Sequence, residues 1–384
     1  MIGPLTNILL TMRHAITTQP GPTAPLFPHL APAQSEKAWR GPRIALQQDD
    51  ADELEQQHSA ASSAWCLPAA VPLCPLGLTL ARKHKGIKRD FERFKTIIDI
   101  PQAPEHLWAI SDIHGDYDRF VALAGSHGLL SVDVGGAAHW AGQQATLLVL
   151  GDLIDKGPKN LEMLELMQQL EGEAKLAGGR VITLLGNHEV QFLANPLNDK
   201  SMGPGGIFWD LAEWNVDPKF FASDKHPTGF WLRNRPFGAR VGNGFYAHGG
   251  QTSGRSLEGL SKMLEVALTS GGFKDALIGG PNSLVRGRNW YGADAAKGQE
   301  NARLLGVQHI VFGHDPDTIA PRGKIVGFPK GSRRQLFRID TGLSVGVDYS
   351  HGEMLHIQYT EKGDLFAACG PHGKVRDLGL FERP

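Results

Sequence analysis

Cysteine is scarce in this chain: Cys66, Cys74 and Cys369 are the three among 384 residues. So few thiols exclude a disulfide framework, and their spacing excludes a thiolate zinc site, so any metal has to be held by His, Asp or Asn. A basic excess is missing too. Lys and Arg number 39 against 40 Asp and Glu, which removes the usual electrostatic footprint of a nucleic-acid or polyanion binder. No repeat of fixed period is present, which excludes a solenoid. The N-terminus matches a secretory signal badly, because Arg13 and His14 follow the short apolar stretch within Met1 to Thr18. What remains is a composition of 41% hydrophobic and 21% charged residues, that of a globular chain forming one large domain or two smaller ones.

The first hundred residues differ from the rest. Pro4, Pro20, Pro22, Pro25, Pro28 and Pro32 lie among Ala, Thr and Gln, and an acidic, Gln-rich stretch runs from Gln47 to Gln57. Residues 1–104 are therefore expected to form a poorly ordered extension and linker. Ala60 to Ala81 carries no charge over a membrane-spanning length, but Pro68, Pro72 and Pro75 would break a helix repeatedly. It is read as an irregular or partly packed linker, with a membrane helix or internal export signal as the alternative. Asp90 to Ile98 is expected to be a short helix.

From Glu105 the pattern becomes short apolar runs that each stop at a polar residue. His106–Ser111 stops at Asp112, Ala145–Leu150 at Gly151 and Asp152, and Arg180–Leu185 at Gly186 and Asn187. Gly244–Ala247 stops at His248, His309–Phe312 at Gly313 and His314, and Gln335–Ile339 at Asp340. Such runs read as buried strands. A helix is predicted from Pro158, with Leu161, Leu164, Met167 and Leu170 along one side, until Gly178 and Gly179 stop it. The alternation is that of an α/β fold, in which ligands gather at the carboxyl ends of strands. Asp, Asn and His delivered there describe one polar cluster.

The motifs carry specific chemistry. Asp112-Ile113-His114-Gly115 offers a carboxylate and an imidazole around a sharp turn, and Gly151 to Gly157 offers Asp152, then Asp155 beside Lys156. Gly186-Asn187-His188-Glu189 adds a neutral oxygen ligand and another imidazole, and His248-Gly249-Gly250 with Gly313-His314 completes the set. Two divalent ions about 3.5 to 4 Å apart can clamp a phosphate ester and generate a nucleophilic water, provided one carboxylate bridges them. With only Asp112 and Asp152 anionic, the ions keep a positive surplus that attracts phosphate. An imidazole-rich donor set without thiolates favours Mn, Fe, Zn or Co over Mg or Ca.

These five motifs, in this order, resemble the calcineurin-like metallophosphoesterase superfamily. Gly151–Gly157 and Gly186–Glu189 resemble its phosphoprotein phosphatase family, and Gly313-His314-Asp315-Pro316, with no second His two positions on, fits that branch. The similarity is greatest to the bacterial Shewanella-like protein phosphatases, with diadenosine tetraphosphatases as near relatives, and covers roughly Leu107 to Gln358. It implies an α/β sandwich of two mixed β-sheets flanked by helices, over a catalytic domain at 105–384 with a substrate-groove insert at 195–239. It implies two divalent metal ions (Mn, Fe, Zn or Co), with Asp112 and His114 on the first, Asp152 between them, and Asn187, His248 and His314 on the second. It makes His188 the general acid and Asp155 its orienter, has Arg286 grip phosphate, and has a metal-bridging hydroxide attack phosphorus. Where the family has Arg, this chain has Lys156, which supplies charge without the bidentate fork.

The expected activity is that of a dinuclear metal-dependent phosphatase for phosphate monoesters, on a phosphorylated protein (Ser/Thr or Tyr) or small phosphoester substrate. The alternatives are a dinucleoside polyphosphate or phosphodiester hydrolase and a non-catalytic phospho-recognition scaffold. No nucleic-acid partner and no stable membrane span are expected. The expected compartment is cytoplasmic, with a periplasmic or exported protein as the alternative. Asp116 and Asp118 are read as solvated carboxylates, Asp340 as a hydrogen-bonding support for the ligands, and Arg233, Arg235 and Arg240 as surface charges or greeters of an anion. The aromatics of Phe208–Trp231 are assigned to core or groove.

Overall fold

In this computed structural model the described residues are 86–329 and 335–382. The expectations for Ala60–Ala81, for Cys66 and Cys74, and for most of the extension concern residues outside that set. Two six-stranded sheets carry the fold. In one, β2 (His106–Ile110), β5 (Thr146–Val149) and β6 (Arg180–Thr183) run parallel, and β12 (Met354–Thr360), β13 (Gly363–Cys369) and β14 (Val375–Phe381) extend it as antiparallel ribbons from β2. In the other, β8 (Gly244–Ala247), β9 (His309–Phe312) and β11 (Gln335–Arg338) run parallel. There β7 (Gly238–Val241) pairs antiparallel with β8 and parallel with β1 (Ile97–Ile100), and β10 (Val326–Phe328) edges β11. A small hairpin, β3 (Leu130–Val132) with β4 (Ala138–Trp140), stands apart. All six expected strands are present, three in each sheet.

Alternation sorts their side chains. Leu107, Ala109, Leu148, Leu150 and Ile182 meet Ala239, Val241, Tyr246, Val311 and Phe337 in one apolar layer, joined by Ile357 and Phe366. Trp108, Ile110, Leu147 and Val149, the intervening residues, belong instead to the larger apolar cluster that takes in the helices. A strand buried on both faces needs apolar side chains at every position, which is why these runs are continuous. Phe337 and Phe366 stack with centroids 4.7 Å apart.

The predicted helix is α2 (Asn160–Leu176), whose Leu161, Leu164, Met167 and Leu170 are all buried. It is preceded by α1 (Tyr117–Ser126) and followed by α3 (Asn187–Ala194). Four short helices come next: α4 (Asp199–Met202), α5 (Ile207–Glu213), α6 (Pro218–Phe221) and α7 (Pro227–Arg233). Beyond them lie α8 (Leu257–Ser270), α9 (Ala276–Gly279) and α10 (Ala296–Leu305). No helix among the described residues is long and apolar enough to cross a membrane.

One expectation is corrected. Asp90–Ile98 forms no helix; Asp90 to Phe94 is a turn closed by Phe94 N–H donating to the Asp90 carbonyl, and the segment then enters β1. The Arg89 guanidinium spans the turn to the carbonyls of Phe94 and Lys95 and reaches those of Arg233, Asn234 and Arg235, while Ile97 and Ile98 pair with Gly238 and Ala239. Long-range pairing overrides a local apolar spacing.

Candidate metal centre

The carboxyl ends of β2, β5, β6, β8 and β9 converge, and the polar residues that follow them meet. Asp152 is the centre. Its Oδ1 accepts from the His188 backbone N–H (2.9 Å) at the start of α3, which directs Oδ2 inward. That Oδ2 lies 3.2 Å from His248 Nε2 and 3.8 Å from both His114 Nε2 and His188 Nε2. Two groups of possible metal ligands therefore share Asp152: His114 with His188, and His248 with His314. Asp112 joins the first, with Oδ1 3.9 Å from His114 Nε2, while its Oδ2 accepts from the His314 backbone N–H (2.9 Å) and from the Ser111 hydroxyl.

The rings are held for ligation. His114 Nδ1 donates to the Ile154 carbonyl (3.0 Å) and His248 Nδ1 to the Leu150 carbonyl (3.1 Å), leaving both Nε2 lone pairs aimed inward. A backbone acceptor behind a ring fixes its tautomer in this way at metal sites. The Asn187 amide adds a further test. Its Nδ2 donates to Gln191 Oε1 (3.2 Å), and its inner atom lies 3.2 Å from Asp152 Oδ2, 3.1 Å from His248 Nε2 and 2.8 Å from His314 Nδ1. With Oδ1 inward, four lone-pair donors face one point; hydrogen bonding alone would require the amide turned over. Ligands about 2.1 Å from an ion stand roughly 3 Å apart, so this set fits a divalent cation as it stands.

The buried carboxylates draw positive charge to this centre. His248 loses hydration by burial, yet the carboxylates of Asp152 and Asp112 raise it to about 9. Desolvation, with Lys156 and His188 nearby, holds His114 well below the usual imidazole range, and burial does the same for His314. Burial opposes ionisation of Asp152, but the surrounding His248 and His188 keep it well below the ordinary carboxylate range.

Backbone strain concentrates here. Asp112, His114, Asp152, Asp155, Lys156 and His314 all have positive φ, between 50° and 71°. Non-glycine residues avoid this region at a cost of about 1 to 3 kcal/mol each, so their clustering marks a functional site. Gly157 follows this run because a Cβ there would overlap the His114 carbonyl oxygen.

Behind the ligands, His188 Nδ1 stands 2.8 Å from Asp155 Oδ2, with both groups buried. Asp155 is itself fixed: its Oδ1 accepts from the Ile207 N–H (3.0 Å) at the start of α5, and its own N–H donates to Asn160 Oδ1 (2.6 Å). The Glu189 carboxylate accepts four backbone N–H groups, from Gly186 (2.8 Å), Asp152 (2.9 Å), Leu153 (2.7 Å) and Ile154 (3.2 Å). It thereby ties the β5 loop to the β6 loop, although burial and Asp152 push its pKa up to about 7. Glu189→Ala leaves these donors without their acceptor and is expected to cost about 3 kcal/mol or more, read as a lower midpoint in denaturant unfolding.

Of the other sequence candidates, Lys156 is at the cluster, its Nζ 3.5 Å from His114 Nε2. Arg286 donates to the Gly279 carbonyl (3.2 Å), whereas Arg288 stands 3.4 Å from His314 Nε2 and pairs with Asp315 (3.1 Å). Arg235 is paired with Glu171 (2.7 Å) and Arg240 with Asp99 (2.6 Å), and Arg233 donates to the Ala222 carbonyl, so this trio is occupied elsewhere. Asp116 caps α1, accepting from Arg119 and Val345, and Asp118 pairs with Lys159. The Asp340 carboxyl accepts from the Gly342 N–H. Phe221 is buried, while Trp209, Trp214, Phe220 and Phe230 are exposed, so the aromatics divide between core and surface.

Sequence reasoning missed Lys200, whose Nζ lies 3.4 Å from His188 Nε2. It also missed Arg288 and the clamp made by Glu189. Glu189 had a legible signal, being third in a helix that opens with Asn187 after the cap residue Gly186, the place from which a carboxylate caps backbone N–H groups.

Comparison with known proteins follows the same line. The calcineurin-like phosphoesterase family matches residues 106–317. Shewanella-like protein phosphatase 2 of Arabidopsis thaliana is 34% identical over 89 residues, 23% of this chain and 22% of that protein. A symmetrical bis(5'-nucleosyl)-tetraphosphatase of Actinobacillus pleuropneumoniae is 31% identical over 129 residues, 34% of this chain and 38% of that protein. The matches thus span well under half the length of these relatives. The crystal structure of a cold-active protein-tyrosine phosphatase from a psychrophilic Shewanella species superposes with a TM-score of 0.58 at 22% identity, over 74% of this chain and 82% of that one, a likeness of fold.

Proposed function

The chain belongs to the calcineurin-like phosphoesterase family, and from that premise we propose that it is a phosphatase that uses two divalent metal ions to hydrolyse phosphate monoesters, with phosphorylated protein as its substrate. The observation that carries this reading is the sharing of Asp152 by two ligand groups. Asp112, His114 and Asp152 would hold one ion, and Asp152, Asn187, His248 and His314 the other. Ions held there would supply positive charge for phosphate oxygens and would lower the pKa of a water toward neutrality.

The remaining work falls to the chain's own groups. His188 protonates the departing oxygen from Nε2, with Asp155 holding the proton on Nδ1 and stabilising the charged ring. Lys156 contributes a point charge beside His114 that draws the phosphate in. Arg286 donates to the Gly279 carbonyl through Nη1 and would add its remaining guanidinium donors to the grip on phosphate. The buried acid with its oriented carboxylate supports turnover over a non-catalytic phospho-recognition scaffold, since binding alone needs no proton donor.

A second reading, hydrolysis of dinucleoside polyphosphates, is favoured by the similarity to the Actinobacillus tetraphosphatase. Protein loaded separately with Mn, Fe, Zn or Co is assayed on p-nitrophenyl phosphate, phosphotyrosine and phosphoserine peptides, and diadenosine tetraphosphate. Release of inorganic phosphate from a peptide is expected. Turnover of the dinucleotide alone selects the second reading, and no turnover with any ion selects the scaffold.

A further inference from the structure

Resting on the phosphatase reading, we propose that Lys200 on α4 is a second phosphate-binding cation, working with Lys156 so that two ammonium groups near Asp152 hold the phosphoryl group. Lys156 Nζ lies 3.5 Å from His114 Nε2 and Lys200 Nζ 3.4 Å from His188 Nε2. Both ring nitrogens stand 3.8 Å from the same oxygen, Asp152 Oδ2. The two ammonium groups are therefore brought to one centre, although one comes from the β5 loop and the other from the segment after α3.

Three further observations single out Lys200. No carboxylate among the described residues lies within 4.0 Å of its ammonium, so it is not spent on an ion pair. Its Nζ is 3.1 Å from the outer atom of the Asn187 amide, which is the nitrogen when Oδ1 faces the ligand cluster. In that orientation two donors face each other, and an oxygen anion accepting from both relieves the contact. Finally, the backbone is anchored: Asn198 Oδ1 accepts from the Lys200 and Ser201 N–H groups, Ser201 is fully buried, and the Gly205 carbonyl accepts from the Gly157 N–H beside Lys156. One lysine gives a single point of contact without the fork of an arginine; a second lysine supplies a second point of contact.

The test is calorimetric titration of Mn-loaded protein with inorganic phosphate, comparing the native chain with Lys200→Ala and Lys200→Arg, with metal content measured on each. Lys200→Ala is expected to weaken phosphate binding about 10-fold or more, the effect of one charge-assisted hydrogen bond. Metal content should be unchanged, and Lys200→Arg should recover most of the affinity. The KM for p-nitrophenyl phosphate should rise in parallel. Unchanged phosphate affinity in a metal-replete Lys200→Ala protein overturns the proposal, as does loss of metal, which would make the lysine a support of the ligands. Should the native protein hydrolyse nothing, the phosphatase reading fails, yet a weaker phosphate titration in Lys200→Ala still upholds the contact.

Discussion

Asp152→Asn is expected to lose bound transition metal and hydrolytic activity together. Oδ1 of this residue is committed to the His188 N–H at 2.9 Å, so an asparagine would keep its own oxygen there and turn its NH₂ toward the centre. That NH₂ would meet His248 Nε2, now 3.2 Å from Oδ2, and can satisfy it with a hydrogen bond. The substitution thus replaces the shared ligand with a donor and removes one of two negative charges. Loss of a partner that merely supports a ligand costs 10- to 100-fold in metal affinity, so loss of the shared ligand should cost at least about 100-fold. Stability should also fall, because the buried carboxylate is held ionised by His248 and His188, and removing one partner of a buried charge pair leaves the other uncompensated. Elemental analysis beside a p-nitrophenyl phosphate assay decides: a stoichiometric pair of ions retained by Asp152→Asn would dismantle the proposed centre.

The parts of this centre legible in the sequence are those that strand geometry dictates. Asp112, Asp152, Asn187, His248 and His314 each follow a short apolar run, and those runs are apolar because each strand is covered on both faces. Hydrophobic pattern therefore locates the strand end, and the strand end locates the ligand. Lys200 and Arg288 follow no such run. They sit on a four-residue helix and in a loop, where no periodicity constrains position, and only folding shows that they face His188 and His314. The left-handed conformation of Asp112 and Asp152 was equally hidden, since a strained non-glycine residue carries no compositional mark, whereas Gly157 beside them does. Antiparallel β12, β13 and β14 went unread because they deliver nothing to the site and lack a uniform apolar run: β12 and β13 mix buried with partly exposed residues, and β14 has no buried residue. The misread turn at Asp90 shows the converse: Phe91, Phe94 and Ile98 are spaced like a helix face, but the decisive bonds come from residues near 235.

His188→Asn should cut turnover by about 100- to 10,000-fold, the range for loss of a general acid, while leaving metal content intact. The metal prediction follows from which atoms act: the backbone N–H of residue 188, not its ring, fixes Asp152, and an asparagine retains it. The ring is held by Asp155, at 2.8 Å through Nδ1, which keeps Nε2 turned toward Asp152 Oδ2 and Lys200 Nζ, where a leaving group would stand. A structural role and an acid role then differ in a measurable way. p-Nitrophenolate departs with little help from a proton, whereas the alkoxide of serine needs one. The loss in His188→Asn should accordingly be much larger on a phosphoserine peptide than on p-nitrophenyl phosphate, and Asp155→Asn should show the same ordering with smaller losses, since it acts only through the ring. Equal losses on both substrates, or loss of an ion from His188→Asn, would move His188 out of proton transfer and into the ligand set, where it shares the group of Asp152 and His114.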